Sequence, residues 1–227
     1  QVSDPERMLF TRREPLGGIG AIIPWNAPLM QTTNKVAPAL AAGNSIVLKS
    51  AELAPLAVTR IFELLQDVLP SGVANLVTGT GEEAGRLICE HPLVRKITFT
   101  GSSAVGSRIL HYAADKIVPV TAELGGKNPC IVMPDASVDK AARGILQGLR
   151  LQRQGQSCSA GTRIYIHDSL FDTVIGRVIE LIPDFRIGNP LDEETQVGSI
   201  ISRRQFDRVN RYVEMARQTP GARILCG

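Results

Sequence analysis

The sequence predicts an α/β fold built on a parallel sheet. Short, almost uninterrupted apolar runs alternate with longer segments whose apolar residues recur at helical spacing. Strands that are apolar on both faces belong to parallel sheets covered by helices on both sides. Scale is the third observation: 227 residues, 44% of them hydrophobic, suffice for one large domain or two modest ones.

The elements follow in order. GIGAIIP (18–24) reads as a strand, NKVAPALAAG (34–43) as a helix stopped by Gly43, and SIVLK (45–49) as a strand. PLAVTRIFELLQDVLP (55–70) is a helix bounded by Pro70, ANLVTG (74–79) a strand and EEAGRLICEH (82–91) a helix. KITFTG (96–101), SAVGSRILHYAAD (103–115) and VPVTAEL (118–124) continue as strand, helix and strand. A second series has PCIVM (129–133) as strand, SVDKAARGILQGLR (137–150) as helix, TRIYIH (162–167) as strand and SLFDTVIGRVIELI (169–182) as helix. After a polar loop, IGNPLDEETQVG (187–198), come the helix RRQFDRVNRYVEMARQ (203–218) and a final short strand, ARILC (222–226). The two glycines of GGKN (125–128) separate the series. This predicts a linker or bridging segment over 1–17, one domain over 18–125 and the first part of a second over 126–227.

Composition excludes several function classes. A net charge of +3 with 21% charged residues gives no case for a nucleic-acid or anionic-membrane partner. No run of 18 apolar residues occurs, so no transmembrane helix is expected. The opening QVSDPERMLFTRREP lacks the apolar stretch of a signal peptide. Cys89, Cys130, Cys158 and Cys226 are far apart and read as reduced thiols of a cytoplasmic-type compartment. His91, His111 and His167 are scattered, and no metal site is expected.

Six stretches carry candidate chemistry. GTGEEAG places Gly79, Gly81 and Gly85, and FTGSSAVG places Gly101, Ser102 and Gly106, between a strand and a helix. A helix N-terminus with free N–H groups suits a pyrophosphate, yet neither loop spells G-x-G-x-x-G, and taken alone each reads first as an ordinary strand-to-helix turn. In LKSAE, Lys49 and Glu52 follow a strand's carboxyl end, where open parallel sheets bind ligands. A carboxylate there accepts both ribose hydroxyls and repels a 2′-phosphate; a solvated surface pair is the plainer alternative. Glu123 in TAELGGKNP ends an apolar strand, and a carboxylate partly withdrawn from water has a raised pKa and can act as a base. Asn26 in PWNAPL offers a neutral amide donor to an oxyanion, beside Trp25, the single tryptophan. Cys158 in GQSCSAG sits among small and polar residues, unlike Cys130 in the apolar NPCIVM, and is the candidate nucleophile.

In succession, PWN, LKSAE, FTGS, ELGGK and GQSC closely resemble the aldehyde dehydrogenase superfamily, along essentially the whole chain. The resemblance implies a Rossmann-like cofactor domain followed by part of an α/β catalytic domain. It implies Cys158 as nucleophile, Asn26 with the Cys158 N–H as oxyanion donors, and Glu123 as the base that activates water. For NAD, with NADP as the lesser choice, it implies Lys49 and Glu52 at the adenosine ribose. Gly81, Gly85 and Val105 would lie by the adenine, Gly101 and Ser102 at the pyrophosphate, and Trp25 and Leu124 on the nicotinamide side. Ile23, Pro24, Phe99 and Gly125 complete that set. The substrate would be a small aldehyde, oxidised to a carboxylic acid through a thiohemiacetal and a thioester. An acylating, coenzyme A-dependent member and a catalytically incompetent NAD-binding fragment or structural homologue are the alternatives.

Two features depart from the usual pattern. Arg150, Gln152 and Arg153 precede the cysteine where many relatives carry large aromatics; a more anionic aldehyde, or arginines simply facing solvent, would explain them. The chain also lacks the family's N-terminal helical portion, glutamate-phenylalanine motif and C-terminal oligomerisation strand. It therefore reads as an internal fragment of a parent expected to be a homodimer or homotetramer. Alone, it is expected to be inactive.

Overall fold

The computed structural model describes residues 8–227; positions 1–7 of the expected bridging segment lie outside the described residues. The chain divides into two compact units, Gln1–Leu124 and Gly125–Gly227.

The first unit is a five-stranded sheet of β1 (Gly18–Ile22), β2 (Ser45–Lys49), β3 (Ala74–Val77), β4 (Val94–Gly101) and β5 (Val120–Leu124). Every pairing is parallel and the order is β3-β2-β1-β4-β5. The connecting helices are α1 (Pro28–Ala41), α2 (Leu56–Gln66), α3 (Arg86–Glu90) and α4 (Ser103–Lys116). Alternate strand residues feed two cores. Ile19, Ala21, Ile46 and Leu48 pack with Val36, Val58 and Phe62 of α1 and α2. Ile97 and Phe99 pack with Ile88, Cys89 and Ile109 of α3 and α4. Each such Ile, Leu, Val or Phe side chain contributes about 1.5–3 kcal/mol when fully buried. Strand order runs outward from β1 to β3, then returns to β4, so the direction of winding switches between β1 and β4. Ligands of open α/β sheets bind at that point, outside the carboxyl ends of the strands.

In the second unit, β6 (Pro129–Val132) pairs in parallel with β7 (Arg163–Ile166). Helices α5 (Val138–Gly148) and α6 (Phe171–Leu181) pack through Val132, Ile145 and Val174, with Ala142, Leu146 and Leu181 in an adjoining cluster. Asp139 of α5 accepts from Arg143 and from Arg177 of α6, both at 2.9 Å, and these guanidinium donors hold its carboxyl below the usual range. Helix α7 (Arg203–Gln218) buries none of its residues. Among the described residues, no helix is long and apolar enough to cross a membrane.

Three elements differ from expectation. Helix α1 starts at Pro28, not at 34, because a proline in the first turn lacks only an N–H that would have no partner there. The Thr32 and Thr33 hydroxyls return to Pro28 O and Leu29 O, and Gly43 closes the turn at φ 75°. The expected helix over 82–91 is a π-helical turn, Gly81–Gly85, running into α3. There Thr80 Oγ1 accepts from Glu83 N–H at 3.2 Å, while Gly85 N–H reaches back to Thr80 O at 3.2 Å. The expected strand ARILC is absent: residues 222–226 are exposed and no neighbouring strand takes their N–H groups.

Candidate active site

The sequence candidates of the first unit gather at one edge. Ile23, Pro24, Trp25 and Asn26 follow β1, Lys49 ends β2 with Glu52 three residues on, Gly81 and Gly85 follow β3, Gly101 ends β4 with Ser102 after it, and Glu123 and Leu124 end β5. All are therefore at or just beyond the carboxyl ends of five parallel strands.

Lys49 is buried, at 3% exposure, and its Nζ donates to Ser50 O at 2.9 Å and Glu52 Oε1 at 3.0 Å. Burial raises the Glu52 carboxyl pKa. Its own backbone N–H, the Lys49 ammonium and the Gly81 backbone N–H outweigh that and hold it below the usual range. The lysine thus fixes a half-exposed anion, and the π-helical turn is tied to the same carboxylate. Beside it a cleft of about 90 Å³ is lined by Ile22, Gly81, Gly85, Val105, Arg108 and Tyr112, among others. A side chain at Gly81 would meet nothing within 4 Å, so the approach there is open.

At the switch point, Ser102 caps α4, its hydroxyl accepting from Val105 N–H at 3.4 Å. Phe99 is buried, and its ring fills the space a Gly101 side chain would need: a Cβ would lie 2.4 Å from Cζ. Leu124 occupies the corresponding space at Gly106, where a Cβ would stand 2.7 Å from Cδ2. Ile23 is likewise buried. Ile23 and Phe99 are thus part of the packed floor, whereas Gly125 is exposed. Thr100 Oγ1 and Ser50 Oγ, at the ends of β4 and β2, are buried with no protein partner among the described residues. A polar ligand at the strand ends would suit both.

Trp25 and Asn26 are half-buried in the bend between β1 and α1. Glu123 is exposed, so the withdrawal from water expected of a strand-end carboxylate is not observed. Lys35 of α1, which the sequence reading passed over, is 6% exposed and donates to Thr98 Oγ1 at 3.0 Å. Burial lowers its pKa to about 8, partly offset by the charge of Glu123. The available signal was its position: Lys35 lies beside Val36 and four residues before Ala39, both buried.

Cys158 is exposed, on a turn of the second unit between the 3₁₀ turn Leu151–Arg153 and β7. Asn128 Nδ2 donates to Cys158 O at 2.8 Å and to Ala160 O at 3.2 Å. Arg150 and Gln154 adopt left-handed conformations at φ 57° and 54°, which non-glycine residues seldom do. The Arg150 and Arg153 side chains are exposed. Cys89 is buried, and desolvation raises its thiol to about 11, so it is no competing nucleophile. Among the described residues no group of three His, Cys, Asp or Glu could hold a metal. A larger groove of about 550 Å³ runs along the first sheet past Gly18, Ser45, Gly72 and Leu93 at or near the strands' amino ends. It contains none of the candidate residues.

The sequence matches the profile of the aldehyde dehydrogenase family over residues 1–227. It is 40% identical, over 99% of its length, to an aldehyde dehydrogenase of Vibrio cholerae serotype O1, covering 45% of that protein. It is 43% identical over 95% of its length to the peroxisomal aminoaldehyde dehydrogenase 2 of Pisum sativum, covering 42% of it. The NAD+ complex of an aldehyde dehydrogenase from Bacillus cereus superposes with a TM-score of 0.89 at 39% identity, over 91% of this chain and 42% of that one. The chain therefore spans less than half the length of these relatives.

Proposed function

Because the chain belongs to the aldehyde dehydrogenase family, we propose that it forms the cofactor-binding part and nucleophile-bearing part of an enzyme that oxidises an aldehyde to a carboxylic acid with NAD. The observation that carries this reading is the gathering of Asn26, Lys49, Glu52, Ser102 and Glu123 at the carboxyl ends of one parallel sheet.

The residues fit the dinucleotide. Glu52, held as an anion, is suited to a ribose diol and opposes a 2′-phosphate, which favours NAD over NADP. Gly81, Gly85 and Val105 leave an open cleft for the adenine. The capped N-terminus of α4, with Gly101 and Ser102, suits the pyrophosphate. Trp25 and Leu124 are assigned to the nicotinamide side. When bound, NAD supplies the acceptor for the hydride that leaves the substrate carbon.

Cys158 supplies the nucleophile. Its sulfur attacks the aldehyde carbon, and the carbonyl electron pair moves to oxygen. The Asn26 amide and Cys158 N–H receive that oxyanion; one such donor typically lowers a barrier by ~3–4 kcal/mol. Loss of the hydride re-forms the carbonyl as a thioester on Cys158. Glu123 takes a proton from water, which attacks the thioester carbon and expels the Cys158 thiolate. The products are the carboxylic acid and NADH. Glu123, exposed at the end of β5, returns that proton to solvent. The unpaired cysteines suit a reducing compartment such as the cytoplasm.

The test is aldehyde-dependent NADH formation by the full-length protein. Cys158→Ala is expected to abolish it with NAD affinity preserved. Wild-type turnover in that variant would overturn the reading.

A further inference from the structure

The loop that carries Cys158 is held by a side chain to which the sequence analysis gave no role, Asn128 of TAELGGKNP. Asn128 is half-buried immediately before β6. Its Nδ2 donates to Cys158 O at 2.8 Å and to Ala160 O at 3.2 Å, thirty residues or more along the chain. One amide group therefore holds two carbonyls of a single short turn. The preceding peptide unit, which carries the Cys158 N–H, is held as well, because Ala160 N–H donates to Ser157 O at 3.3 Å. In a trans peptide the C=O and N–H point in opposite directions. Engaging Ser157 O therefore turns the Cys158 N–H away from the bond that Ala160 makes. Among the described residues that N–H donates to nothing. The turn is anchored beyond Asn128 by the buried Ala160 and by Gly161 N–H on Gly148 O at 2.9 Å.

We infer that Asn128 is a positioning residue for the nucleophile: its amide fixes the Cys158 and Ala160 carbonyls so that the Cys158 N–H stays available to the substrate oxyanion. This rests on the reading of Cys158 as the nucleophile. Three properties of asparagine are used. It is short enough to sit at the strand entrance, it donates two hydrogens from one nitrogen, and it is uncharged. Aspartate has the same shape but no donor when ionised, and would set a negative charge against two carbonyl oxygens. Serine keeps a single donor.

The test uses the full-length enzyme with Asn128→Asp, Asn128→Ser and, as reference, Cys158→Ala. Four quantities are measured: kcat with an alkyl aldehyde, the Kd for NAD, the rate of Cys158 alkylation by iodoacetamide, and Tm. Alkylation displaces iodide at a saturated carbon and needs no oxyanion donor. Asn128→Asp is expected to lower kcat by about 10- to 100-fold while alkylation and NAD affinity change by less than about threefold. Asn128→Ser is expected to fall between wild type and Asn128→Asp. The inference is overturned if Asn128→Asp keeps kcat within about threefold of wild type. It is equally overturned if kcat, alkylation, NAD affinity and Tm decline together, the pattern of a purely structural residue. Should Asn128→Asp fail to fold, Asn128→Ser decides: undiminished kcat contradicts the inference, and a selective loss of kcat supports it. If Cys158→Ala turns over normally, the nucleophile reading itself fails and this inference with it.

Discussion

Lys35 shows what a sequence displays and what it conceals about one residue. In NKVAPALAAG it looks like a polar position on a helix, yet packing of α1 on the sheet buries it against Thr98. Its proton affinity falls because a desolvated ammonium is costly. Cys158 and Glu123, by contrast, are singled out in the sequence by small residues around a thiol and glycines after a carboxylate, and it is the order of the motifs along the chain that makes them candidates together. Asn128 was not legible, because its partners lie some thirty residues away. The lowered pKa of Lys35 has a consequence for stability. Below pH 8 the folded and unfolded chains both carry the proton. As pH rises past about 8 the folded state releases it first, while the unfolded lysine holds it to its ordinary 10.5. The unfolded state binds more protons in that window, so stability rises with pH there, by on the order of 3 kcal/mol in all. Urea unfolding at pH 8 and pH 10 is expected to show this rise in the wild type but not in Lys35→Met. Parallel pH curves for the two proteins would contradict it.

At the scale of elements, alternating apolar runs located all five strands of the first sheet, but they did not give helix starts or irregular turns. Those depend on caps. Pro28 starts α1 early, and Thr80 with two glycines makes the turn before α3 π-helical. Helix α4 offers two tests. Its N-terminal loop depends on Gly101, since a methyl group there would lie 2.4 Å from the Phe99 ring. Gly101→Ala is expected to destabilise by about 1–3 kcal/mol through overpacking, measurable as a lower urea midpoint at unchanged m. Its C-cap, Ile117, is 93% exposed with a left-handed backbone at φ 54°. A β-branched residue is strained there, so Ile117→Gly is expected to raise stability by about 1 kcal/mol, read from the same unfolding curves. ARILC has strand composition yet forms no strand, because a strand forms only beside a partner.

For the whole molecule, the fact that weighs most is that the chain spans 45% of the Vibrio relative it matches. Its second unit has a two-stranded sheet, and Ile131, Met133 and Tyr165 lie exposed along or just beyond it. On α7, Phe206, Val209 and Tyr212 are exposed too. Apolar surface of this kind favours association. The 227-residue chain expressed by itself is expected to bind a hydrophobic dye and to produce no NADH from aldehyde; measurable turnover would contradict that. The central claim, that Cys158 carries the acyl group and Glu123 releases it, is tested most directly by peptide mass mapping of full-length Glu123→Gln quenched after mixing with NAD and aldehyde. The expected result is an acyl adduct on the Cys158 peptide, with steady-state turnover lowered by about 100-fold or more. An adduct confined to Cys89, Cys130 or Cys226, or undiminished turnover with no adduct, would contradict it.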